Sequence, residues 1–323
     1  MPTLLSYPRI HITLIDLCGC TGRLFGGIGF LVDILPVKVH SHLAEKNSID
    51  FKGEVDARFQ KEISSYFDKL TKLFNVNINI VIERPIKSHI GFGSKTSTML
   101  AIAKSIAICS RRSFDINDAV VFTNRGGASG IGLNAFFTGG VVVDAGHKFS
   151  VGMDILPSHY IYNKTIPPIV TQCDFPSAWS VHLLLPEGHN INGEREKSLF
   201  LKKTPIPNKE ALEVFTIVYY KILLALKECD YELFQEGISE ISNTGFKKIE
   251  IESQVKICSK IISFFNNELK LAAGMSSMGP LLYIITVSDK FDSEIINYCK
   301  SENVKYLGKT LGRNKGFELE CYE

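Results

Sequence analysis

Alternation of apolar and polar side chains organises the first part of the chain. In Arg9-Ile10-His11-Ile12-Thr13-Leu14-Ile15-Asp16 the even positions carry Ile10, Ile12, Leu14 and Asp16, and the odd ones carry Arg9, His11, Thr13 and Ile15. That is the period of a strand whose successive side chains face opposite ways. Arg9 and His11 therefore share a face. Asp16 ends the strand on the apolar face, where a carboxylate is costly unless paired or exposed at a mouth. A second alternating run sets Val76, Ile78, Ile80 and Ile82 against Asn75, Asn77, Asn79 and Val81 and predicts another strand. Helical spacing takes over in residues 56–74, where Phe59, Ile63, Phe67, Leu70 and Leu73 form one apolar stripe. It returns at Met99, Leu100, Ala103, Ile106 and Ala107.

Further along, Asp115 is placed to cap a short helix, and residues 179–185 and 281–287 read as strands. A long helical region covers 209–226 and resumes after Tyr231, while 293–300 and 317–320 read as a helix and a closing strand. Pro157, Pro167, Pro168 and Pro176 mark a seam across 157–178. Strands and helices mix without strict alternation, which predicts an α+β protein. The chain of 323 residues exceeds what one core usually covers, so two domains are expected, 1–165 and 166–323.

Net charge of +2, with no long basic run or basic-aromatic patch, argues against nucleic acid and membrane surfaces as partners. No apolar stretch approaches the ~20 residues of a membrane span. The first residues lack a basic segment followed by a long apolar one, so a cytosolic address is expected. Cys18 and Cys20 lie too close for ordinary paired metal-ligand spacing, and the other six cysteines are scattered. Reduced thiols without zinc or iron–sulfur are the expectation.

Glycine turns carry the candidate chemistry. The central one is Gly91-Phe92-Gly93-Ser94-Lys95-Thr96-Ser97-Thr98, between a strand pattern and a helix pattern. Two glycines permit close backbone approach, and a helix start offers unpaired N–H groups to phosphate. Lys95, Ser94 and Thr96 add charge and donors; without a ligand the segment is a tight turn capped by Ser94. It is not a Walker loop, since Ser94 separates Gly93 from Lys95, nor a dinucleotide fingerprint, since Thr96 stands at the third glycine. A second glycine-dense turn holds Gly19, Gly22, Arg23, Gly26, Gly27 and Gly29 before Phe30 resumes extended structure, and Asp16 and Arg23 bracket it. A third runs from Arg125 through Ser129-Gly130-Ile131-Gly132 to Gly139-Gly140, then an apolar strand with Asp144 and His147 at its exit. A fourth covers residues 272–280, including Ser276 and Ser277.

The central loop resembles the phosphate loop of the GHMP kinase superfamily, whose members include galactokinase and homoserine kinase. The Ser129-Gly130-Ile131-Gly132 segment, ending at Gly139-Gly140, is similar to that superfamily's Ser-Gly-x-Asp segment. Gly132 stands where many of the kinases carry the aspartate that acts on the substrate hydroxyl. One branch matches better. Arg9-x-His11-x-x-Leu14-Ile15-Asp16, Gly22-Arg23, Gly26-Gly27-Ile28-Gly29, Arg125-Gly126-Gly127-x-Ser129-Gly130, Val143-Asp144-x-Gly146-His147, Gly193-Glu194-Arg195-Glu196 and Ala273-Gly274-Met275-Ser276-Ser277-x-Gly279-Pro280 resemble the β-ribofuranosylaminobenzene 5′-phosphate synthase family. The matches keep their order along almost the whole chain. Lys95 and Phe92 depart from the loop pattern.

The resemblance implies a two-domain GHMP-kinase-like fold, a ribosomal protein S5 domain 2-like N-terminal domain followed by a ferredoxin-like one. It implies condensation of phosphoribosyl pyrophosphate with 4-aminobenzoate or 4-hydroxybenzoate, losing pyrophosphate and carbon dioxide, in tetrahydromethanopterin synthesis. In that reaction Asp16 stabilises cationic character on the ribose or acts as base, with Asp144 and His147 as further catalytic candidates. Arg23 and Lys95 hold phosphate or pyrophosphate together with Gly91, Gly93, Ser94, Thr96, Ser129, Gly130, Ser276 and Ser277. Arg125 grips the benzoate carboxylate or a phosphate. Magnesium held mainly by substrate oxygens is expected, as is a homodimer. An ATP-dependent small-molecule kinase, and a binding protein without catalysis, are the alternatives.

Overall fold

The computed structural model describes residues 2–53, 55–83, 90–150, 152–161, 165–189, 191 and 193–321; residues 162–164 of the expected seam lie outside these. Three sheets result. The first has the strand order Glu318–Cys321, Pro2–Ser6, Val37–Leu43, Ile78–Glu83, Ser48–Lys52. The second runs Arg9–Asp16, Arg23–Leu31, Val141–Asp144, Ile169–Cys173, and the third Ala272–Met275, Leu282–Thr286, Ser180–Leu185, Lys305–Leu311. Strand Ile169–Cys173 extends the second sheet, and the last strand pairs antiparallel with the first, Pro2 opposite Cys321.

Helix Ala57–Phe74 starts at Asp56, whose carboxylate accepts the Phe59 N–H at 2.8 Å. Its buried stripe is Phe59, Ile63, Phe67 and Leu70, as the pattern predicts, but Leu73 is exposed and Phe74 takes the inward place. With helices Ser94–Cys109 and Ile116–Thr123 it covers the first sheet over Val39, Ile78, Ile80 and Ile82. A second core joins the other two sheets: Ile10, Ile12 and Phe30 meet Val181, Leu183 and Tyr283, with helix Tyr231–Ser242 packed alongside. Leu184, one residue from Leu183, faces the opposite way into a third core with Ile261, Phe265 and Ile295.

Two glycine-rich segments differ from the expected turns. Gly26, Gly27 and Gly29 lie inside the continuous strand Arg23–Leu31. A Cβ at Gly29 would stand 2.3 Å from the Ile10 carbonyl, and one at Gly27 would stand 3.0 Å from His11 Nε2. These glycines admit neighbouring chain to close range rather than turning the backbone. Likewise Ala272–Met275 is a strand, and the turn begins only at Ser276.

Candidate active site

The central turn is held from two sides. The Arg9 N–H donates to the Phe92 carbonyl at 3.2 Å, and the Leu281 N–H donates to that of Ile90 at 3.0 Å. Ser276 Oγ donates to the Gly91 carbonyl (2.8 Å) and accepts the His11 N–H (3.0 Å), while the Ser277 N–H donates to the His11 carbonyl (3.0 Å). Strand Arg9–Asp16 and the Ser276 turn, far apart in sequence, thus fix the glycine loop. Gly91 (φ +121°) and Gly93 (φ +68°) occupy conformations side chains resist, and a Cβ on Gly93 would meet Arg9 Nε at 2.9 Å. Gly93 rather than Ser94 precedes the helix, and no side chain caps the first turn.

Beside that helix start lies a cavity of about 140 Å³ lined by Arg9, His11, Thr96, Arg125, Ser129, Glu196, Glu250 and Ser277, with Leu14, Leu133, Phe200 and Met278 as apolar wall. Arg9 Nη1, Arg125 Nε and His11 Nδ1 are buried without a hydrogen-bond partner among the described residues. Burial, and then the charge of Arg125, push Arg9 down to about 10, so it remains a cation at neutral pH. Burial also lowers Arg125. His11 is held well below its ordinary value by burial, Arg9 and Lys247, and is neutral. Glu250 pairs with the buried Lys247, which also donates to the Met275 carbonyl at 3.2 Å. Burial, and then the charge of Glu250, push Glu196 up to about 7 against the pull of Arg125. Two repelling guanidiniums with unpaired N–H groups can accept an anion on their side of the cavity.

Of the residues singled out from sequence, Thr96, Arg125, Ser129 and Ser277 line this cavity, and Ser276, Gly91 and Gly93 belong to the clamp around the loop. Ser94 opens the helix, and Lys95 pairs with Glu62 at 2.5 Å. Asp144 and His147 do not line the cavity; they hold its wall from behind. Asp144 accepts from Ser129 Oγ (2.9 Å) and the Gly130 N–H (3.0 Å), and His147 Nε2 lies 2.7 Å from the Gly126 carbonyl. Burial pushes Asp144 up to about 6, although its hydrogen bonds oppose this, and burial lowers His147. Asp16 and Arg23 are not among the lining residues either, and no ion pair joins them. Arg23 donates to the carbonyls of Ala145 (2.6 Å) and Gly146 (2.9 Å). Asp16 accepts the N–H groups of Cys18 (2.9 Å), Gly19 (2.7 Å) and Thr21 (3.0 Å), and the Thr21 hydroxyl (2.7 Å).

Among the cavity residues not named as site candidates from the sequence are Arg9, His11, Glu196 and Glu250. The shared face of Arg9 and His11 was the available signal for two of them. Glu196 lay within a quoted motif, whereas nothing local marks Glu250.

No protein-family model matches the chain. It is 32% identical over 319 residues, 97% of each chain, to the β-ribofuranosylphenol 5′-phosphate synthase of Archaeoglobus fulgidus. It is 32% identical over 285 residues, 86% of each chain, to the synthase of that name from Methanothermobacter thermautotrophicus. The homologue from Methanocaldococcus jannaschii, of the same name, is 31% identical over 287 residues, 85% of this chain and 86% of its own. Among solved structures, mevalonate diphosphate decarboxylase from Staphylococcus aureus superposes with a TM-score of 0.67 at 12% identity, covering 99% of this chain and 98% of its own. Homoserine kinase from Cytophaga hutchinsonii gives 0.64 at 13%, covering 98% and 96%. At such identities these two establish the GHMP-kinase fold and nothing of the chemistry.

Proposed function

The chain belongs to the β-ribofuranosylphenol 5′-phosphate synthase family, and on that premise we propose that it condenses phosphoribosyl pyrophosphate with 4-hydroxybenzoate in tetrahydromethanopterin synthesis, as a cytosolic homodimer. The relatives' names specify a phenol where the sequence resemblance named an aminobenzene, which favours the hydroxyl acceptor. The observation that carries the assignment of the cavity is the pair of half-buried arginines, Arg9 and Arg125, whose Nη1 and Nε respectively are buried without a hydrogen-bond partner among the described residues.

The cavity volume of about 140 Å³ is close to the ~150 Å³ that accommodates a benzene ring in an apolar protein cavity. A single-ring aromatic acid fits, with its carboxylate on the guanidiniums and its ring against Leu14, Leu133, Phe200 and Met278. Phosphoribosyl pyrophosphate is too large to share that space and is assigned to the uncapped helix start at Ser94, where first-turn N–H groups face phosphate. The ribose C1–oxygen bond breaks and its electron pair leaves with pyrophosphate. The ring carbon bearing the carboxylate bonds to C1. The carbon–carboxylate bond then breaks, its electrons restore the aromatic ring, and carbon dioxide departs. Removing the phenolic proton makes that ring carbon a stronger nucleophile, and Glu196 is the cavity group that titrates near neutrality.

Magnesium belongs to this reading as an ion carried on pyrophosphate, where it neutralises leaving-group charge. Of the cavity's two carboxylates among the described residues, Glu250 is committed to Lys247, which fits a dication held mainly by substrate oxygens.

The test incubates the protein with phosphoribosyl pyrophosphate and carboxyl-labelled 4-hydroxybenzoate and, separately, with ATP. Labelled carbon dioxide that requires both substrates is the expected result. ADP formation without carbon dioxide release would overturn it in favour of a kinase, and faster release from 4-aminobenzoate would overturn the choice of acceptor.

A further inference from the structure

Outside the cavity, the loop after strand Arg9–Asp16 gathers three metal-ligating side chains that the proposed reaction does not use as such. A ligand atom from each of Asp16, Cys18 and Cys20 lies within 4.8 Å of the other two. We propose that these three residues form a binding site for a thiophilic divalent cation of the zinc class, independent of the substrate cavity.

The one-residue spacing of the cysteines is too short to make a site of the pair alone, and the third ligand changes that. Cys18 Sγ stands 3.4 Å from Asp16 Oδ1, and Cys20 Sγ stands 3.7 Å from Oδ2. In a tetrahedral zinc site, with Zn–S of ~2.3 Å and Zn–O of ~2.0–2.2 Å, the sulfur–oxygen edge is about 3.5 Å. Each observed separation is close to one sulfur–oxygen edge of such a site, Cys18 at one carboxylate oxygen and Cys20 at the other. The turn that brings them together depends on Gly19, at φ +78°.

The carboxylate is already oriented for the role. Its four hydrogen bonds from the Cys18, Gly19 and Thr21 N–H groups and the Thr21 hydroxyl act as the outer support that metal ligands require. Burial works against its ionisation, but those bonds outweigh burial and hold it below its ordinary value, so it stays charged. Both thiols point their protons at it. Burial, and with it the Asp16 charge, push Cys18 up to about 12 and raise Cys20 as well. Neither thiol ionises by itself at neutral pH, but a dication can take the place of both protons between the sulfurs and the carboxylate. The exchange is redox-neutral: one cation enters, two protons leave, and three protein bonds form. Both cysteines are partly exposed, so the fourth position is open to water, as in zinc sites with three protein ligands.

The test uses the full chain, reduced and stripped with a chelator, titrated with Cd²⁺ alone and followed by thiolate-to-cadmium absorbance, with proton release read in weak buffer. Saturation at about one cation with about two protons released is expected, and Zn²⁺ in excess should compete for the same site. Cys18→Ser and Cys20→Ser should each weaken binding by at least ~10-fold, while Cys229→Ser, at an exposed thiol elsewhere, should leave it unchanged. Circular dichroism identifies folded variants, and either cysteine variant suffices. A titration of the wild type without saturable absorbance would overturn the site regardless of the variants. So would absorbance that survives Cys18→Ser and Cys20→Ser or disappears in Cys229→Ser.

Discussion

Gly93→Ala tests whether the central turn and the anion site are one device. The backbone at Gly93 has φ +68°, and a non-glycine residue there costs about 1–2 kcal/mol. For a chain of this size that lowers the melting temperature by a few degrees, at roughly 2–4 °C per kcal/mol. The larger effect is local. The new Cβ would stand 2.9 Å from Arg9 Nε and 3.1 Å from Cζ, so the guanidinium must retreat to beyond 3.4 Å. Arg9 Nη1 is buried, and movement of the guanidinium misaligns the donor it offers to the acceptor carboxylate. A hydrogen bond to a charged group contributes ~1.5–3 kcal/mol, and at ~1.4 kcal/mol per decade the KM for 4-hydroxybenzoate should rise on the order of 10- to 100-fold. Steady-state kinetics with each substrate varied in turn, beside a melting curve and circular dichroism, measures this. An unchanged acceptor KM in a variant with the predicted loss of stability would refute the reasoning and leave Gly93 as a structural turn.

Gly132→Ala should separate stability from affinity in the other direction. Gly132 lies in helix Ile131–Thr138 and lines the cavity, and its Cβ would meet Arg9 and Thr96 at an ordinary 3.4 Å; alanine should raise the melting temperature through a ~0.5–1 kcal/mol helix gain while raising the acceptor KM, and a fall in both would contradict this. Glu196, pushed up to about 7, is a protonated acid below that pH and a base above it, so kcat/KM should climb as pH rises through 7. Glu196→Gln should lower kcat/KM on the order of 10²-fold and remove that limb; a wild-type pH profile in the variant would exclude Glu196 as the base. Asp16→Asn sets an amide N–H against donors that now point at a carboxylate, at a cost of about 1–3 kcal/mol. It should lower the melting temperature with little change in kcat on the folded fraction, whereas a loss of kcat on the order of 10² without destabilisation would assign Asp16 an electrostatic role in the reaction.

What the sequence by itself determined about this protein is local. Alternation placed strand Arg9–Asp16 and put Arg9 and His11 on one face, and helical spacing over 56–74 placed the helix found at Ala57–Phe74. Paired glycines before small hydroxyl residues marked the turn into helix Ser94–Cys109. Each of these signals depends on a residue and its near neighbours, because backbone period and turn chemistry act over a few positions. The order of the motifs carried the family for the same reason, since each is a short segment.

Tertiary structure alone decided which groups share a space. Glycines that read as a turn proved to be the interior of strand Arg23–Leu31, because the close approach they permit is to Ile10 and His11 on another segment. Asp16 and Arg23, on either side of the first glycines of that segment, hold different backbone partners: the turn at Cys18–Thr21 and the carbonyls of Ala145 and Gly146. Glu196 and Glu250 reach Arg9 and Arg125 from helices that begin far along the chain, Glu194–Lys203 and Gly245–Glu252. Burial and neighbouring charge set the protonation of Glu196, Asp144 and His11, and both depend on atoms distant in sequence. A residue's type is written in the chain, but its charge state and the company it keeps are properties of the packed fold.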